Sequence, residues 1–264
     1  MRLRKRFGQH FLEPAWVRKV VDVIAPGTDG TMLEIGPGGG ALTLALAPRV
    51  SRLVAVEIDR DLADALEPRL PPHVTLVRGD FLKMDLAALC ATLPRPVRVV
   101  GNLPYNISSP ILFRLLAAHD EGRLIADATL MLQREVAERL AATPGGAEYG
   151  VLAVQAALTA DVTLKLALPP GAFRPPPKVH SAVVRMAFRP PAEPVEAARF
   201  ERIVRGAFTQ RRKTILNALR HATGLGTAEV AAALARAGVA PDRRPQTLTV
   251  HELVTLVAGM PDQA

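Results

Sequence analysis

The chain has 264 residues, of which 49% are hydrophobic, enough for the core of one large domain or of a large and a small one. Its single cysteine, Cys90, excludes an intramolecular disulfide, and no apolar run reaches the roughly 18 residues of a membrane span. The formal net charge is +8, and residues 174–264 carry +7 of it, which favours a polyanionic partner bound mainly by the C-terminal part. A generally basic, arginine-rich proteome would give the same excess.

The N-terminal segment is basic, with four cations within residues 2–6. Gln9, His10 and Glu13 interrupt any signal-peptide core, so cytoplasmic residence is expected. A terminal segment of this kind is expected to become ordered only when it meets a cofactor or RNA.

A strand, a glycine turn and a helix are predicted where the apolar pair Met32-Leu33 leads through residues 34–40 into an apolar stretch. Glycines at 36 and 38 let the backbone approach a nucleotide closely, and the first amides of the helix then face it. The spacing also fits a dinucleotide fingerprint, since Gly36, Gly38 and Ala41 match G-x-G-x-x-G/A. Glu34 favours an adenosyl sulfonium over a nicotinamide cofactor, because its negative charge could hold the sulfonium cation or the ammonium group of that cofactor.

Acidic residues follow the next two predicted strands. Glu57 lies 21 positions after Gly36, near the offset at which an acid reaches a pair of ribose hydroxyls. Asp59 is interpreted as a helix cap. Asp80 follows the strand over 74–78, where it would either accept the adenine amine of the cofactor or cap the next segment. Acids and a glycine turn at the carboxyl ends of parallel strands indicate a nucleotide crevice in an open α/β sheet.

Asn102-Leu103-Pro104-Tyr105 follows the apolar run 97–101, which is predicted to be a buried strand. An amide oxygen and a neighbouring backbone carbonyl accept both hydrogens of a planar exocyclic amine, and the tyrosine ring stacks on its plane. The alternative is a proline turn with an incidental tyrosine. The upstream nucleotide crevice favours the first interpretation.

A domain boundary is predicted at residues 189–194, which contain three prolines. Beyond it, residues 199–221 are predicted to form one or two helices with a buried face and a cationic outer face, and 228–237 and 250–258 further short helices. The predicted domains are therefore 1–189 and 190–264.

The chain resembles the ribosomal RNA adenine dimethyltransferase family from about Arg4 to its end. Besides the glycine segment and the Asn102–Tyr105 tetrapeptide, three segments carry the resemblance: 6–12 (RFGQHFL), 173–181 (FRPPPKVHS) and 208–216 (FTQRRKTIL). Several motifs in the right order are more specific than any single one. His10 departs from the family pattern, in which many relatives carry asparagine.

The resemblance implies an S-adenosylmethionine-dependent methyltransferase fold: an α/β, Rossmann-like, doubly wound and mostly parallel sheet with a small all-helical C-terminal domain. It implies cofactor binding at positions matching His10, Leu12, Gly36, Glu57, Asp80 and Asn102, to which the glycine-turn motif adds Glu34 and Gly38. The implied catalytic residues are Asn102, Leu103, Pro104, Tyr105 and Phe173, the last as a second aromatic ring packed on a flipped-out adenine. For Phe173 the alternative is a core position ahead of a proline-rich turn.

The resemblance further implies dimethylation of two adjacent adenosines in the 3′-terminal hairpin of small-subunit ribosomal RNA, within a pre-assembled subunit, by a monomer that needs no metal and no membrane. The residues expected to bind RNA are Arg4, Lys5, Arg6, Arg205, Arg211, Arg212 and Lys213. Two alternatives remain: an erythromycin-resistance-type enzyme acting on large-subunit RNA, and a mainly non-enzymatic ribosome assembly factor.

Overall fold

The computed structural model describes residues 10–261. These residues contain nine strands and eleven α-helices. The strands are β1 (Phe11–Leu12), β2 (Thr31–Ile35), β3 (Arg52–Glu57), β4 (Val74–Arg78), β5 (Val97–Asn102), β6 (Ile125–Gln133), β7 (Ala160–Leu168), β8 (Phe173–Arg174) and β9 (Ser181–Phe188). The helices are α1 (Pro14–Ile24), α2 (Ala41–Leu46), α3 (Arg60–Leu66), α4 (Leu86–Ala91), α5 (Ser108–Gly122), α6 (Arg134–Leu140), α7 (Val151–Thr159), α8 (Ala197–Thr209), α9 (Ile215–Thr223), α10 (Thr227–Arg236) and α11 (Val250–Ala258).

Seven strands form one sheet in the order β4-β3-β2-β5-β6-β9-β7. Strands β2 to β6 pair in parallel, whereas β9 pairs antiparallel with both β6 and β7. The chain order reverses between β2 and β5, and ligands of open α/β sheets bind outside the carboxyl ends of the strands at such a point. The predicted doubly wound, mostly parallel sheet is confirmed.

The central strands are apolar because both of their faces are covered. Every residue of β2 is buried, which is typical of a strand in the middle of a parallel sheet. A hydrophobic cluster that includes Val20, Ile24, Leu46 and Leu53 packs beside this part of the sheet. The rigid sheet therefore fixes the strand ends from which the site is built.

The structure divides into two compact units. Within the described residues, the first comprises 10–137 and 160–189, and the second comprises 138–159 and 190–261. The boundary at 189/190 lies where the prolines predicted it, but the predicted division was wrong about 138–159, which packs with the second unit. The reason is hydrophobic: Tyr149, Val154 and Leu158 are buried in the same cluster as Phe200 and Leu219.

The second unit is helical, as predicted. The stretch predicted as one or two helices forms two, α8 and α9, because the chain turns between Gln210 and Thr214. The Glu196 carboxylate caps α8, and the Thr214 hydroxyl caps α9 by accepting the Asn217 amide.

Candidate functional site

A cavity of about 320 Å³ lies at the carboxyl ends of β2, β3, β4 and β5 in the first unit. It is lined by all the predicted cofactor residues and by the whole predicted tetrapeptide: His10, Leu12, Glu34, Gly36, Gly38, Glu57, Asp80, Asn102, Leu103, Pro104 and Tyr105. These residues come from five separate segments of the chain. Since the carboxyl ends of neighbouring parallel strands meet at one edge of the sheet, the fold itself brings them together.

The glycine turn between β2 and α2 needs backbone conformations that other residues rarely adopt. Gly36 has φ +68° and Gly38 has φ +56°. A Cβ on Gly36 would meet nothing within 4 Å, so this backbone borders open space. A Cβ on Gly38 would lie 2.9 Å from the Phe11 ring. The turn therefore exposes its backbone to the cavity on one side and packs tightly against β1 on the other.

The Glu57 carboxylate is held by two backbone amides at the end of β3. Its Oε2 accepts a hydrogen bond from the Gly38 N–H at 2.9 Å, and its Oε1 accepts one from the Asp59 N–H at 2.8 Å. Burial raises the pKa of Glu57, and the two amide hydrogen bonds oppose that shift. Each carboxylate oxygen keeps a further lone pair, so the group can still accept two hydroxyls in the cavity.

Glu34 lies deepest among the acids of the cavity wall, with 2% of its surface exposed. Its Oε2 atom accepts no hydrogen bond from any residue within 10–261. Burial raises the pKa of Glu34 to about 7; the nearby Thr43 hydroxyl opposes this shift and the Glu57 carboxylate adds to it. A buried carboxylate with an unpaired oxygen, in a residue of the cavity wall, suits a cationic ligand.

Asp80 and Asp59 differ in their roles. The Asp59 carboxylate accepts the Asp61 amide at the start of α3, so the predicted helix cap is confirmed. Asp80 accepts the Leu82 amide at 3.0 Å through Oδ1, and it also lines the cavity. One oxygen of Asp80 therefore fixes the local turn. Because Asp80 also lies in the cavity wall, it is a candidate to accept a hydrogen bond from the adenine amine.

Asn102 ends β5, and its side-chain amide has a fixed orientation. The Asn102 Nδ2 donates to the His10 carbonyl at 2.7 Å. A carbonyl oxygen only accepts, so the nitrogen must point to His10 and the Oδ1 atom is the end that remains to accept a hydrogen. The following backbone is also fixed, because the Leu103 N–H donates to the Met131 carbonyl and the Pro104 carbonyl accepts the Ile107 N–H.

Tyr105 is held at its hydroxyl and on one ring face. Its hydroxyl lies 2.5 Å from the Ser181 Oγ, and the His10 ring stacks on its ring with centroids 5.4 Å apart. Burial raises the pKa of Tyr105, so it remains a neutral phenol at physiological pH. The aromatic ring is therefore presented rigidly at the cavity wall.

The structure differs from the prediction at Phe173. Its side chain is 3% exposed and belongs to the same hydrophobic cluster as Leu12 and Val183. It is absent from the cavity wall formed by the described residues. The pairing of Leu12 with Phe173 between β1 and β8 explains this, because it places the ring with the core. The expected stacking on a base is therefore corrected to a core position.

The residues expected to bind RNA differ in their surroundings. Arg4, Lys5 and Arg6 lie outside the described residues. Arg211 donates to the Ala147 and Tyr149 carbonyls at 2.9 Å each, and Arg205 pairs with Glu201 on α8. Arg212 and Lys213 are exposed on the turn between α8 and α9.

The positive charge is shared by the two units. Counted over the described residues, the first unit carries +2 and the second +3. Residues 174–189 carry four cations and no acid, yet they belong to the first unit. Within this stretch Arg185 pairs with Asp127 and Arg189 with Asp161, whereas Arg174 and Lys178 are exposed. The basic excess of residues 174–264 is therefore divided between the two units, because 174–189 belongs to the first.

Several apolar residues of the cavity were not predicted from the sequence. Ile58, between Glu57 and Asp59, lines it and is 46% exposed, unusual for a large aliphatic residue. Phe11 and Phe81 line it as well. The sequence did offer a signal for Ile58, because an isoleucine between two acidic residues at a strand end indicates an apolar contact with a ligand. The contribution of Phe81 depends on the loop after β4.

The described residues offer neither a metal site nor a membrane span. Within 10–261 no group of three or more His, Cys, Asp or Glu side chains is arranged to hold a metal ion. None of the helices in this range has both the length and the apolar character needed to cross a bilayer.

Comparison with known proteins gives one family. A family model described as ribosomal RNA adenine dimethylase matches residues 1–258. The chain is 45% identical to Ribosomal RNA small subunit methyltransferase A of Anaeromyxobacter dehalogenans, over 97% of this chain and 93% of that protein. It is 47% identical to the protein of the same name from Syntrophotalea carbinolica, over 95% and 94%.

Solved structures agree with this. A dimethyladenosine transferase from Plasmodium falciparum has a TM-score of 0.78 and 25% identity, covering 94% of this chain and 96% of that one. The 23S rRNA methyltransferase ErmE has a TM-score of 0.69 and 29% identity, covering 95% and 99%.

Proposed function

This chain belongs to the ribosomal RNA adenine dimethylase family, and we propose that it dimethylates two adjacent adenosines in the 3′-terminal hairpin of small-subunit ribosomal RNA. It is an S-adenosylmethionine-dependent methyltransferase. The relatives at 45% and 47% identity are named for the small subunit, which supports this choice of substrate. The observation that carries the chemistry is the Asn102 amide, whose nitrogen is held by the His10 carbonyl so that its Oδ1 is left to accept a hydrogen of the adenine amine.

The residues of the cavity fit S-adenosylmethionine. Glu34 provides a buried carboxylate oxygen without a partner among the described residues, which suits the positive charge of the cofactor. Glu57 can accept a pair of ribose hydroxyls, Asp80 can accept the adenine amine, and Gly36 leaves space for close approach of the backbone. When bound, the cofactor supplies a methyl group on a sulfonium sulfur, which is an excellent leaving group.

The protein has to activate the methyl acceptor, which is the adenine amine, because the lone pair of this amine is delocalised into the ring. The Asn102 Oδ1 would accept one amine hydrogen. The Pro104 carbonyl already accepts the Ile107 N–H, which favours the Leu103 carbonyl as the second acceptor. Two acceptors out of the ring plane would localise the lone pair on the nitrogen.

Positioning is sufficient for this reaction. Holding two reactants in the right geometry supplies roughly 7–11 kcal/mol of barrier reduction, whereas general-base assistance typically adds only about 10²–10⁴-fold. Tyr105, fixed by Ser181 and His10, provides the plane on which the adenine stacks. An adenine within a duplex must be extruded before it reaches this plane.

The RNA is bound by cations of both units in this proposal. Arg212 and Lys213 are exposed in the second unit, and Arg174 and Lys178 are exposed in the first. Arg211 has mainly a structural role, because its guanidinium donates hydrogen bonds to the Ala147 and Tyr149 carbonyls. The substrate is proposed to be rRNA in a pre-assembled small subunit, modified in the cytoplasm by a monomer.

Methyl incorporation from labelled S-adenosylmethionine tests the proposal. Purified small subunits from a strain that lacks the modification should take up label as dimethyladenosine at two adjacent positions. The Asn102→Ala variant should bind the subunits but transfer methyl groups about 10²–10³-fold more slowly. Incorporation into large subunits alone would overturn the small-subunit assignment.

An enzyme of large-subunit RNA is a second candidate, favoured by the similarity to ErmE. The same assay with protein-depleted large-subunit RNA separates the two candidates. A mainly non-enzymatic assembly factor is a third interpretation. It predicts that the Asn102→Ala variant fully restores subunit assembly in a deletion strain, although its methyl transfer is strongly reduced.

A further inference from the structure

His10 makes three contacts on the side of the cavity where Asn102 and Tyr105 lie. Its backbone carbonyl accepts the Asn102 Nδ2 at 2.7 Å. Its ring stacks on Tyr105 with a centroid distance of 5.4 Å and an interplanar angle of 28°. Its Nδ1 lies 2.7 Å from the Pro175 carbonyl. The two residues that would hold the target adenine are thus both fixed by one residue.

The tautomer of His10 follows from its partner. A carbonyl only accepts, so the His10 Nδ1 carries the proton and donates it to Pro175. The ring covers one face of Tyr105. A base cannot enter between two rings whose centroids are 5.4 Å apart, so an adenine would use the opposite face of Tyr105.

We propose that His10 is a positioning residue for the acceptor base, which acts by holding the Tyr105 ring and the Asn102 amide, and not a side-chain ligand of S-adenosylmethionine. The proposal rests on the proposed function. It assigns a task to the His10 side chain, because the imidazole ring covers one face of Tyr105. Its carbonyl contact with Asn102 is independent of the side chain and persists in any variant.

Two substitutions separate the ring from the rest of the residue. His10→Ala removes the ring, whereas His10→Phe keeps a ring but loses the hydrogen bond to Pro175. His251→Ala, an exposed histidine of the second unit, is the matched control. For each variant, the dissociation constant of S-adenosylmethionine, the single-turnover methyl-transfer rate at saturating cofactor and RNA, and the melting temperature are measured.

The expected result is a single-turnover rate about threefold to tenfold lower in His10→Ala, the range of an aromatic pair contribution. His10→Phe restores the rate to within about twofold of the wild type, since a stacked ring is again present. The cofactor dissociation constant is unchanged in both variants. In a Tyr105→Ala background, adding His10→Ala has no further effect, because the ring it supports is gone.

Two outcomes overturn the proposal. In the first, His10→Ala weakens cofactor binding but leaves the rate at saturating cofactor unchanged, which makes the side chain a cofactor ligand. In the second, His10→Phe is as slow as His10→Ala although it is folded, which excludes support by stacking. Failure of the wild-type protein itself to methylate ribosomal RNA would overturn the proposed function instead, so the two failures are distinguishable.

Discussion

The Glu57 carboxylate accepts the Gly38 amide at 2.9 Å, and this single hydrogen bond ties the end of β3 to the glycine turn that follows β2. Two strand ends that each contribute to the cavity are thereby held in one geometry. Because the other carboxylate oxygen accepts the Asp59 amide, Glu57 needs two acceptor oxygens to perform this task. A residue expected only to bind a ribose also supports the turn beside it.

Glu57→Gln should therefore impair both binding and stability. Glutamine has one acceptor oxygen, so either the Gly38 or the Asp59 amide would face an NH₂ group, at a cost of about 1–3 kcal/mol. Calorimetry should show weaker S-adenosylmethionine binding, and thermal unfolding should show a lower midpoint. Glu67→Gln, at an exposed glutamate paired with Arg78, is the control and should leave cofactor affinity unchanged.

Asn102→Ala should reduce methyl transfer with little effect on RNA binding. The variant lacks the oriented Oδ1 acceptor, and removal of one oriented hydrogen-bonding group from an active site costs about 10²–10³-fold in rate. Single-turnover transfer and RNA affinity, measured on the same preparation, provide the test. Asn217→Ala, on the exposed start of α9, is the matched control. An equal decrease of rate and of RNA affinity would contradict a role confined to the acceptor amine.

Glu34 should make the stability of the protein depend on pH. Its native pKa of about 7 lies above the ordinary carboxyl value, so the native state binds more protons than the unfolded state between those values. In the ligand-free protein, the contribution of Glu34 to stability is then fully present below the ordinary carboxyl pKa, and up to about 3 kcal/mol of it is lost as the pH rises from there through 7. Glu34→Gln should remove this dependence. Denaturant unfolding of both proteins across pH 5–8, with subtraction of the two curves, isolates the effect.

Cofactor binding provides the companion measurement for Glu34. Above pH 7 its carboxylate is charged and attracts a cationic ligand, whereas protonation below about 7 removes this attraction. Cofactor affinity should therefore fall as the pH is lowered through 7 in the wild type more steeply than in Glu34→Gln. Parallel pH profiles for the two proteins would show that Glu34 does not face the cationic group.

Phe173→Leu should lower stability while methyl transfer continues. The ring is buried against Leu12 and Val183, so a smaller apolar side chain leaves a void and typically costs about 1–3 kcal/mol. Unfolding midpoints measure the cost, and single-turnover rates below the new midpoint measure the activity. A rate reduced about tenfold or more at unchanged stability would instead support stacking of Phe173 on the target base.

The exposed cations should determine the salt dependence of RNA binding. Replacing Arg212 and Lys213 by glutamine should weaken RNA affinity and reduce the slope of log K against log salt by about 0.7–0.9 for each phosphate that is no longer neutralised. Arg174→Gln with Lys178→Gln should act similarly if the first unit also binds the RNA. Lys165→Gln, exposed on β7, is the control. Unchanged slopes in both double variants would show that neither group binds phosphates.

Arg211→Gln serves as a contrast to the Arg212 and Lys213 substitutions in this experiment. The Arg211 guanidinium donates to the Ala147 and Tyr149 carbonyls, so its removal leaves two carbonyl groups without their donor. This variant should therefore lower the unfolding midpoint, which the substitutions of its exposed neighbours should leave unchanged.

The residues of the cavity could be predicted from the sequence because their chemistry is local. Strand ends, glycine spacing and acid offsets are short-range patterns, and an open parallel sheet places all such ends at one edge. Glu34, Gly36, Glu57 and Asn102 were found in this way, and the sheet order confirmed that they lie together.

Tertiary packing alone decided the rest, because distant parts of the chain had to meet. The burial of Phe173 depends on the pairing of β1 with β8. The orientation of the Asn102 amide depends on the His10 carbonyl, 92 residues away. The hydrogen bonds of Arg211 depend on a loop more than 60 residues upstream. Even the distribution of charge required the fold, since the cations of 174–189 belong to the first unit and not to the helical one. Sequence patterns identify which groups are available, but only long-range contacts determine which of their atoms remain free to act.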